Sequence, residues 1–99
     1  MGNTAWKQRE RQISTFFNTT RKIGSGGYDP NDSSDTNHPA LYIEAKLRAA
    51  SSIHSLWKDT AGKAKKEGKI PVVCTAMKNH PGFLITVHSD DFDRFLDTL

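Results

Sequence analysis

The sequence is poor in cysteine and in long apolar runs, and both features exclude classes of protein. Cys74 is the only cysteine, so no disulfide forms within the chain, and its place in an apolar run predicts a buried thiol. The longest apolar run, residues 70–77, is far shorter than the roughly 20 residues of a membrane-spanning helix. No charged-then-apolar leader opens the chain. We therefore expect a cytoplasmic protein with no membrane partner.

Zinc and nucleotide motifs are also lacking. The histidines at positions 38, 54, 80 and 88 are scattered, and with one cysteine they do not form the spacing of a structural zinc site. The cluster Gly24, Gly26 and Gly27 lacks the spacing and the lysine of a phosphate-binding P-loop. We expect no nucleotide cofactor, and we interpret this glycine-rich stretch as a flexible loop.

The chain is short and mildly basic. Its 99 residues predict a single domain over positions 1–99, in which residues 18–39 are largely loop. The formal net charge of +3 is compatible with a polyanionic partner but does not by itself identify one.

Hydrophobic periodicity predicts the order of elements. Residues 3–17 have apolar positions at helical spacing, with Asn3 or Thr4 as the N-cap, and short strands are predicted at 21–23 and 34–37. A helix capped by Ser51 or Ser52 is predicted to end at Gly68. Strands follow at 70–77 and 83–87. A last helix, capped by Ser89 or Asp90, carries an apolar side made of Phe92, Phe95, Leu96 and Leu99. The helix after residue 47 is long enough to connect two parallel strands of a mixed sheet.

Residues 41–47 alternate between apolar and polar and form the clearest predicted strand. Leu41, Ile43, Ala45 and Leu47 share one face, and Tyr42, Glu44 and Lys46 share the other. A turn through His38 and Pro39 would bring Asp35 alongside Glu44. Asp29 and Asp32 are alternative first acids, and Asp35 is preferred because it lies nearest the turn.

These residue types suit metal-dependent hydrolysis of a phosphodiester. Mg²⁺ or Mn²⁺ prefers hard oxygen ligands, which Asp35, Glu44 and the backbone carbonyl of Ala45 offer. Lys46 is positioned to orient or activate the attacking water and to stabilise the growing negative charge. The predicted catalytic residues are therefore Asp35, Glu44 and Lys46.

Asp35 followed by Glu44-Ala45-Lys46 on an apolar strand resembles the PD-(D/E)XK nuclease superfamily. The stretch from Asp35 to Arg48 is similar to the acid, turn and E-x-K-x-R segment of its Holliday-junction-resolvase-like phage and archaeal branch. The resemblance covers most of the chain. It implies a restriction-endonuclease-like αβββαβ core, an α/β fold whose mixed central sheet is flanked by helices.

The resemblance also implies roles for further residues. Glu10 stands where the family has a first-helix glutamate that reaches the metal, and Arg21 stands before the glycine-rich loop. Ser34 departs from the usual proline before the first acid, and Thr60 departs from the usual glutamine of the second helix. The predicted DNA-binding residues are Arg21, Lys22, Ser25, Arg48 and Lys58.

The resemblance favours an endonuclease that cuts branched DNA as a homodimer, since one active centre per chain cuts one strand. Two other functions fit the same sequence. One is a general or nicking phage nuclease that acts on duplex, flap or single-stranded DNA. The other is a DNA-binding module that keeps the fold without catalysis.

Overall fold

A computed structural model describes residues 4–22, 34–46 and 52–99 of the chain. In chain order the helices and strands are α1 (Thr4–Phe16), β1 (Leu41–Lys46), α2 (Ile53–Glu67), β2 (Ile70–Thr75), β3 (Leu84–Thr86), a short 3-10 helix (Ser89–Asp91) and α3 (Phe92–Leu96). They form an α/β fold around a three-stranded mixed sheet. The predicted α/β class is confirmed.

The sheet has the order β1-β2-β3. β1 and β2 are parallel, with Glu44 in register with Val73, and β3 is antiparallel to β2. α2 connects the two parallel strands, as a parallel pair requires a long crossover. This confirms the parallel neighbours that the sequence predicted.

Local sequence explains both ends of α2. The Ser52 hydroxyl accepts a hydrogen bond from the Ser55 amide at 3.1 Å, which satisfies one of the unpaired N–H groups of the first turn. At the other end Gly68 adopts a left-handed conformation, with φ 66° and ψ 32°, which glycine takes without a Cβ clash. The predicted start at a serine and end at Gly68 are confirmed.

Helices cover both faces of the sheet. The α1 face carries the main core, in which Ile13 and Phe17 pack with Leu41, Ile43, Val72 and Cys74, and Phe95 of α3 joins them. α2 packs against β1 and β2 on the opposite face, which we call the α2 face, and buries Thr60 and Ala64. Residues paired across neighbouring strands project to the same face, so Glu44, Val73 and Thr86 form one row on the α2 face.

The polar face predicted for β1 is only partly polar. Tyr42 is fully buried, whereas Glu44 is half-buried and Lys46 is exposed. The alternation of side chains is correct, but α2 covers the start of this face and leaves the end of β1 accessible. Tyr42 is thus a core residue, and the accessible part of the face is confined to the end that carries Glu44 and Lys46.

The strands predicted at 21–23 and 34–37, the first of which includes residue 23 outside the described part of the chain, do not form a regular ladder in the described residues. Arg21 and Thr36 form one isolated antiparallel bridge. The amide of Asp35 donates to the Ile43 carbonyl at 3.0 Å, so the segment also borders β1. Side-chain oxygens, described below, take the next hydrogen bonds along β1, and this interrupts backbone pairing. The core of the described residues therefore has one regular strand between α1 and α2 in place of the predicted three.

The C-terminal segment differs from its prediction in two respects. His88 is the N-cap of the 3-10 helix, through its Nδ1, which accepts from the Asp90 amide at 3.0 Å, and Asp91 is the N-cap of α3, so neither helix is capped by Ser89 or Asp90. Only Phe95 of the predicted apolar side is buried, while Phe92, Leu96 and Leu99 are about half exposed or more. α3 reaches the core through a single side chain because it spans five residues. The predicted N-cap was wrong, and of the predicted apolar side only Phe95 contributes to the core.

No helix within residues 4–22, 34–46 and 52–99 combines the length and the apolar character needed to cross a membrane.

Candidate metal centre

A compact turn brings Asp35 back to β1. The His38 side chain is buried, and its Nδ1 accepts hydrogen bonds from the amides of Ala40 and Leu41, each at 3.1 Å. Burial first, and then the charge of Lys69, lower the pKa of His38 from its ordinary 6.5. The neutral ring therefore fixes the turn that leads into β1, and the predicted return of Asp35 through His38 and Pro39 is confirmed.

Ser34 and Asp35 bind the free edge of β1 through their side chains. The Ser34 hydroxyl accepts from the Ile43 amide at 3.0 Å and donates to the Ile43 carbonyl at 3.2 Å. Asp35 Oδ2 accepts from the Ala45 amide at 2.8 Å. Two side-chain oxygens thus replace the backbone carbonyls of a neighbouring strand. They hold the Asp35 carboxyl next to the strand that carries Glu44.

The backbone of β1 presents the Ala45 carbonyl on the same side as Asp35. Peptide groups of a strand point alternately to its two edges. The carbonyls of Ala40 and Lys46 accept from Ile70 and Ala76 on the β2 side, whereas Ile43 bonds Ser34 and Asp35. The carbonyl of Ala45 therefore faces the Asp35 edge, where the sequence placed a backbone ligand.

The carboxyl of Asp35 sits in an unfavourable electrostatic environment. Burial and the nearby negative charge of Glu44 raise the pKa of Asp35 from 3.8 to about 6. The Ala45 amide and Lys46 act in the opposite direction, but they do not outweigh burial and repulsion. A second carboxylate, Glu10, adds to the repulsion. Negative charge at this position lacks full compensation, which is the electrostatic condition that favours binding of a cation.

Glu44 and Lys46 project together from the end of β1. Lys46 Nζ lies 3.3 Å from Glu44 Oε2, with the lysine side chain 48% exposed and the glutamate 14% exposed. Because the lysine is half in solvent, this ion pair contributes little to stability. The structure therefore leaves the amine at the edge of the site, where it can reach a ligand from solvent.

Glu10 is placed near Asp35 but is engaged elsewhere. Its Oε1 accepts from Arg21 Nε at 3.0 Å, and both side chains are about one-quarter exposed or less. The ion pair partly offsets the charge of Glu10 and occupies one nitrogen of the guanidinium. A metal-binding role for Glu10 and a DNA-binding role for Arg21 both stay predictions.

Among the described residues there is no group of three or more histidine, cysteine, aspartate or glutamate side chains that could hold a metal ion. Asp35 and Glu44 are a pair, and the Ala45 carbonyl supplies the third oxygen on this edge. Such a set still fits Mg²⁺, which usually retains several waters and uses one or two protein carboxylates. The fit rests on hard oxygen donors and on uncompensated negative charge.

The other predicted DNA-binding residues have mixed positions. The amide of Lys22 donates to the Asp35 carbonyl at 3.1 Å, so Lys22 is adjacent to the site. Lys58 is exposed on α2. Ser25 and Arg48, like the alternative acids Asp29 and Asp32, lie outside the described residues.

Two further residues are committed to structure. Thr60 is buried, and its hydroxyl donates to the Leu56 carbonyl of its own helix at 2.9 Å, which leaves no donor directed at a phosphate. Cys74 is fully buried, as predicted, and burial and the charge of Asp35 raise the pKa of its thiol to about 12. Neither takes part in the chemistry of the site.

Sequence reasoning missed the roles of Ser34 and His38. Ser34 was noted only as a departure from a proline, and His38 only as part of a turn. The spacing Ser34-Asp35 before a turn and an alternating strand carries a usable signal, because serine and aspartate side chains commonly bond to nearby backbone amides. The sequence does not indicate which amides these side chains reach, because that depends on how the turn folds back on β1.

No protein-family model matches this chain, and searches of curated proteins and of solved structures return no significant match.

The docking of Asp35 predicts a measurable role for Ser34. In Ser34→Ala the Ile43 amide loses its partner in a buried position, so the free energy of unfolding should fall by about 1–3 kcal/mol. Urea denaturation measures this loss. Ser14→Ala is the matched control, because Ser14 is equally buried but only donates to the Glu10 carbonyl of its own helix. A loss no larger than that of the control would contradict the role assigned to Ser34.

Proposed function

We propose that this chain is a divalent-metal-dependent DNA endonuclease of the PD-(D/E)XK type, with Asp35, Glu44 and Lys46 as its catalytic residues. The observation that carries the proposal is the docking of the Asp35 carboxylate on β1 beside Glu44. Two carboxylates and an amine then share one accessible strand end. The fold order around them is compatible with a restriction-endonuclease-like core, although one bridge stands where that core has two strands.

Asp35, Glu44 and the Ala45 carbonyl would hold Mg²⁺ or Mn²⁺. A cation bound there neutralises charge on the scissile phosphate and lowers the pKa of a bound water. The carboxylate of Asp35 would contribute an oxygen to the ion while its Oδ2 keeps the hydrogen bond from the Ala45 amide. Lys46 lies at the exposed edge and is suited to orient the attacking water and to stabilise negative charge on the phosphate.

The proposed substrate is branched DNA, and the proposed assembly is a homodimer. The substrate follows from the resemblance to Holliday-junction resolvases, and the dimer follows from the need to cut two strands with one centre per chain. The basic residues adjacent to the site, Arg21 and Lys22, favour a phosphate backbone as the ligand.

A cleavage assay tests the function directly. The purified chain is incubated with a four-way junction, a flap, a linear duplex and a single strand, each with Mg²⁺, Mn²⁺ or a chelator. We expect metal-dependent cuts, with the junction preferred, and no product with the chelator. Metal-dependent cleavage of all substrates alike would indicate a general nuclease. Binding without any cleavage would reject the enzyme and leave a DNA-binding module.

A further inference from the structure

A cavity of about 230 Å³ lies on the α2 face, between the first turns of α2 and the end of β3. Trp57 and His54 line it from the helix, and Thr86 and His88 line it from the opposite side. Its walls combine apolar and aromatic surface with hydroxyl and imidazole groups. This mixture is typical of small-molecule pockets, in which a few polar groups orient a mainly apolar ligand.

The cavity lies on the same face of the sheet as Glu44, and one of its lining residues belongs to the same row of residues across the strands. Thr86 is in register with Val73, which is in register with Glu44. All three therefore project to the α2 face. With strands spaced about 4.8 Å apart, Thr86 lies about 10 Å from Glu44 across the sheet. Because α2 covers the middle of this row, where Val73 is fully buried, a DNA strand that reaches both sites would pass around the first turn of α2.

Two aromatic side chains of the cavity pack on each other, so the outer faces of this pair are the surfaces that a ligand can contact. The rings of Trp57 and His88 are 4.8 Å apart, with an interplanar angle of 31°. His88 is held in place because its Nδ1 accepts from the Asp90 amide. Flat aromatic side chains bind planar rings by stacking, as in proteins that hold unpaired bases.

The indole of Trp57 also carries an unsatisfied donor. Its Nε1 is buried and makes no hydrogen bond with the part of the chain that the structure describes. A buried N–H without a partner is rare, since most such groups find an acceptor. Because this nitrogen is not accessible from the cavity, an acceptor on a ligand would reach it only after the Trp57 ring shifts.

We propose that this cavity binds one unpaired nucleobase of the DNA, a few nucleotides from the scissile phosphate. The proposal rests on the proposed nuclease function and deepens it by naming the substrate class. A base inside a continuous duplex cannot enter a cavity, because it must first leave its stack and its pair. The preferred DNA therefore has nucleotides near the cut that are unpaired, as at the base of a flap, or whose pairs open readily, as at the branch point of a four-way junction.

Fluorescence of Trp57 tests the cavity without any cleavage. The Trp6→Phe background removes the other tryptophan, so that Trp57 alone reports. Without divalent metal, this protein is titrated with a short single-stranded oligonucleotide and with an abasic oligonucleotide of equal length and charge. We expect saturable quenching, and binding about tenfold weaker for the abasic strand, the size expected for one lost stacking contact. Equal binding of both strands, or no quenching, would overturn the proposal.

A second pair of variants tests the cavity in the cleavage reaction. Trp57→Leu should raise KM about tenfold for a flap that carries bases at its junction and leave KM unchanged for the abasic flap. Thr86→Val provides a smaller change in the same cavity, should Trp57→Leu fail to fold by circular dichroism. Phe92→Leu is the matched control, because Phe92 is an exposed aromatic residue outside the cavity. A Trp57→Leu or Thr86→Val effect that is the same on both flaps would contradict base binding.

The two proposals fail in different ways. Base-dependent quenching with no cleavage of any substrate would reject the nuclease and keep the base-binding cavity. Metal-dependent cleavage, with quenching that is the same for the normal and the abasic strand, would reject the base-binding cavity and keep the nuclease.

Discussion

Glu44→Gln is expected to lower the rate of metal-dependent DNA cleavage by about 10³-fold, because several kcal/mol of transition-state stabilisation depend on the ion. The substitution replaces one carboxylate oxygen by an amide and keeps the shape of the side chain. Lys46 keeps a neighbour, since the amide oxygen of glutamine still accepts a hydrogen bond. The fold should therefore survive, and the loss should be specific to chemistry.

DNA binding should change little in the same variant. Affinity for DNA depends mainly on basic groups that contact phosphates, and Glu44→Gln removes none of them. Single-turnover cleavage and a filter-binding titration, run on the same preparation, separate the two quantities. Asp59→Asn is the matched control, because Asp59 is an exposed carboxylate that forms an ion pair with Lys63 in the next helical turn. Cleavage by Glu44→Gln at the rate of this control would reject Glu44 as a catalytic residue.

Asp35→Asn is expected to make the metal-free protein more stable while it abolishes cleavage. The pKa of Asp35 is raised to about 6 in the folded protein, against 3.8 for the free side chain. A raised carboxyl pKa stabilises the fold at low pH, and this contribution is lost as pH rises from about 4 through 6. Above pH 6 the folded protein carries an unfavourable charge that asparagine lacks, while the amide oxygen of asparagine still accepts from Ala45.

The expected gain above pH 7 is about 1–3 kcal/mol, from a shift of about two pKa units at roughly 1.4 kcal/mol each. Urea denaturation of the variant and the wild type at pH 7.5 and at pH 4 measures it. The gain should shrink towards zero at pH 4, where the aspartate is protonated in the folded state. His38 contributes equally to the pH dependence of both proteins, because both contain it, so it does not alter the difference in stability between them. Asp90→Asn is the control, since the Asp90 side chain is 87% exposed. A gain that does not depend on pH would contradict the charge of Asp35 as its cause.

Much of the fold could be predicted because its signals are local. Alternation along residues 41–47 determines which side chains share a face, so Glu44 and Lys46 were correctly placed together. The serine and glycine at the ends of α2 act on neighbouring amides and carbonyls, and the length of that helix requires a parallel pair. Each of these effects operates within a few residues along the chain.

The rest depends on contacts between distant segments. Ser34 and Asp35 bond to Ile43 and Ala45 only after the turn has closed, and this pairing through side chains is why two predicted strands became one bridge. The exposure of most of the apolar side of α3 could not be predicted, because periodicity indicates which residues align and not whether anything covers them. The base-binding cavity lies between α2 and the segment after β3. The sequence of neither segment indicates that the two come together in the fold.

Binding of Mn²⁺ is the most direct test of the central claim, that Asp35 and Glu44 form one metal centre. Electron paramagnetic resonance of free Mn²⁺ measures the bound fraction in titrations of the wild type, Glu44→Gln, Asp35→Asn and the Asp59→Asn control. The account predicts about one bound ion for the wild type and the control, and affinity at least about tenfold lower for each of the other two variants. Equal binding by all four proteins, or binding by none, would contradict it.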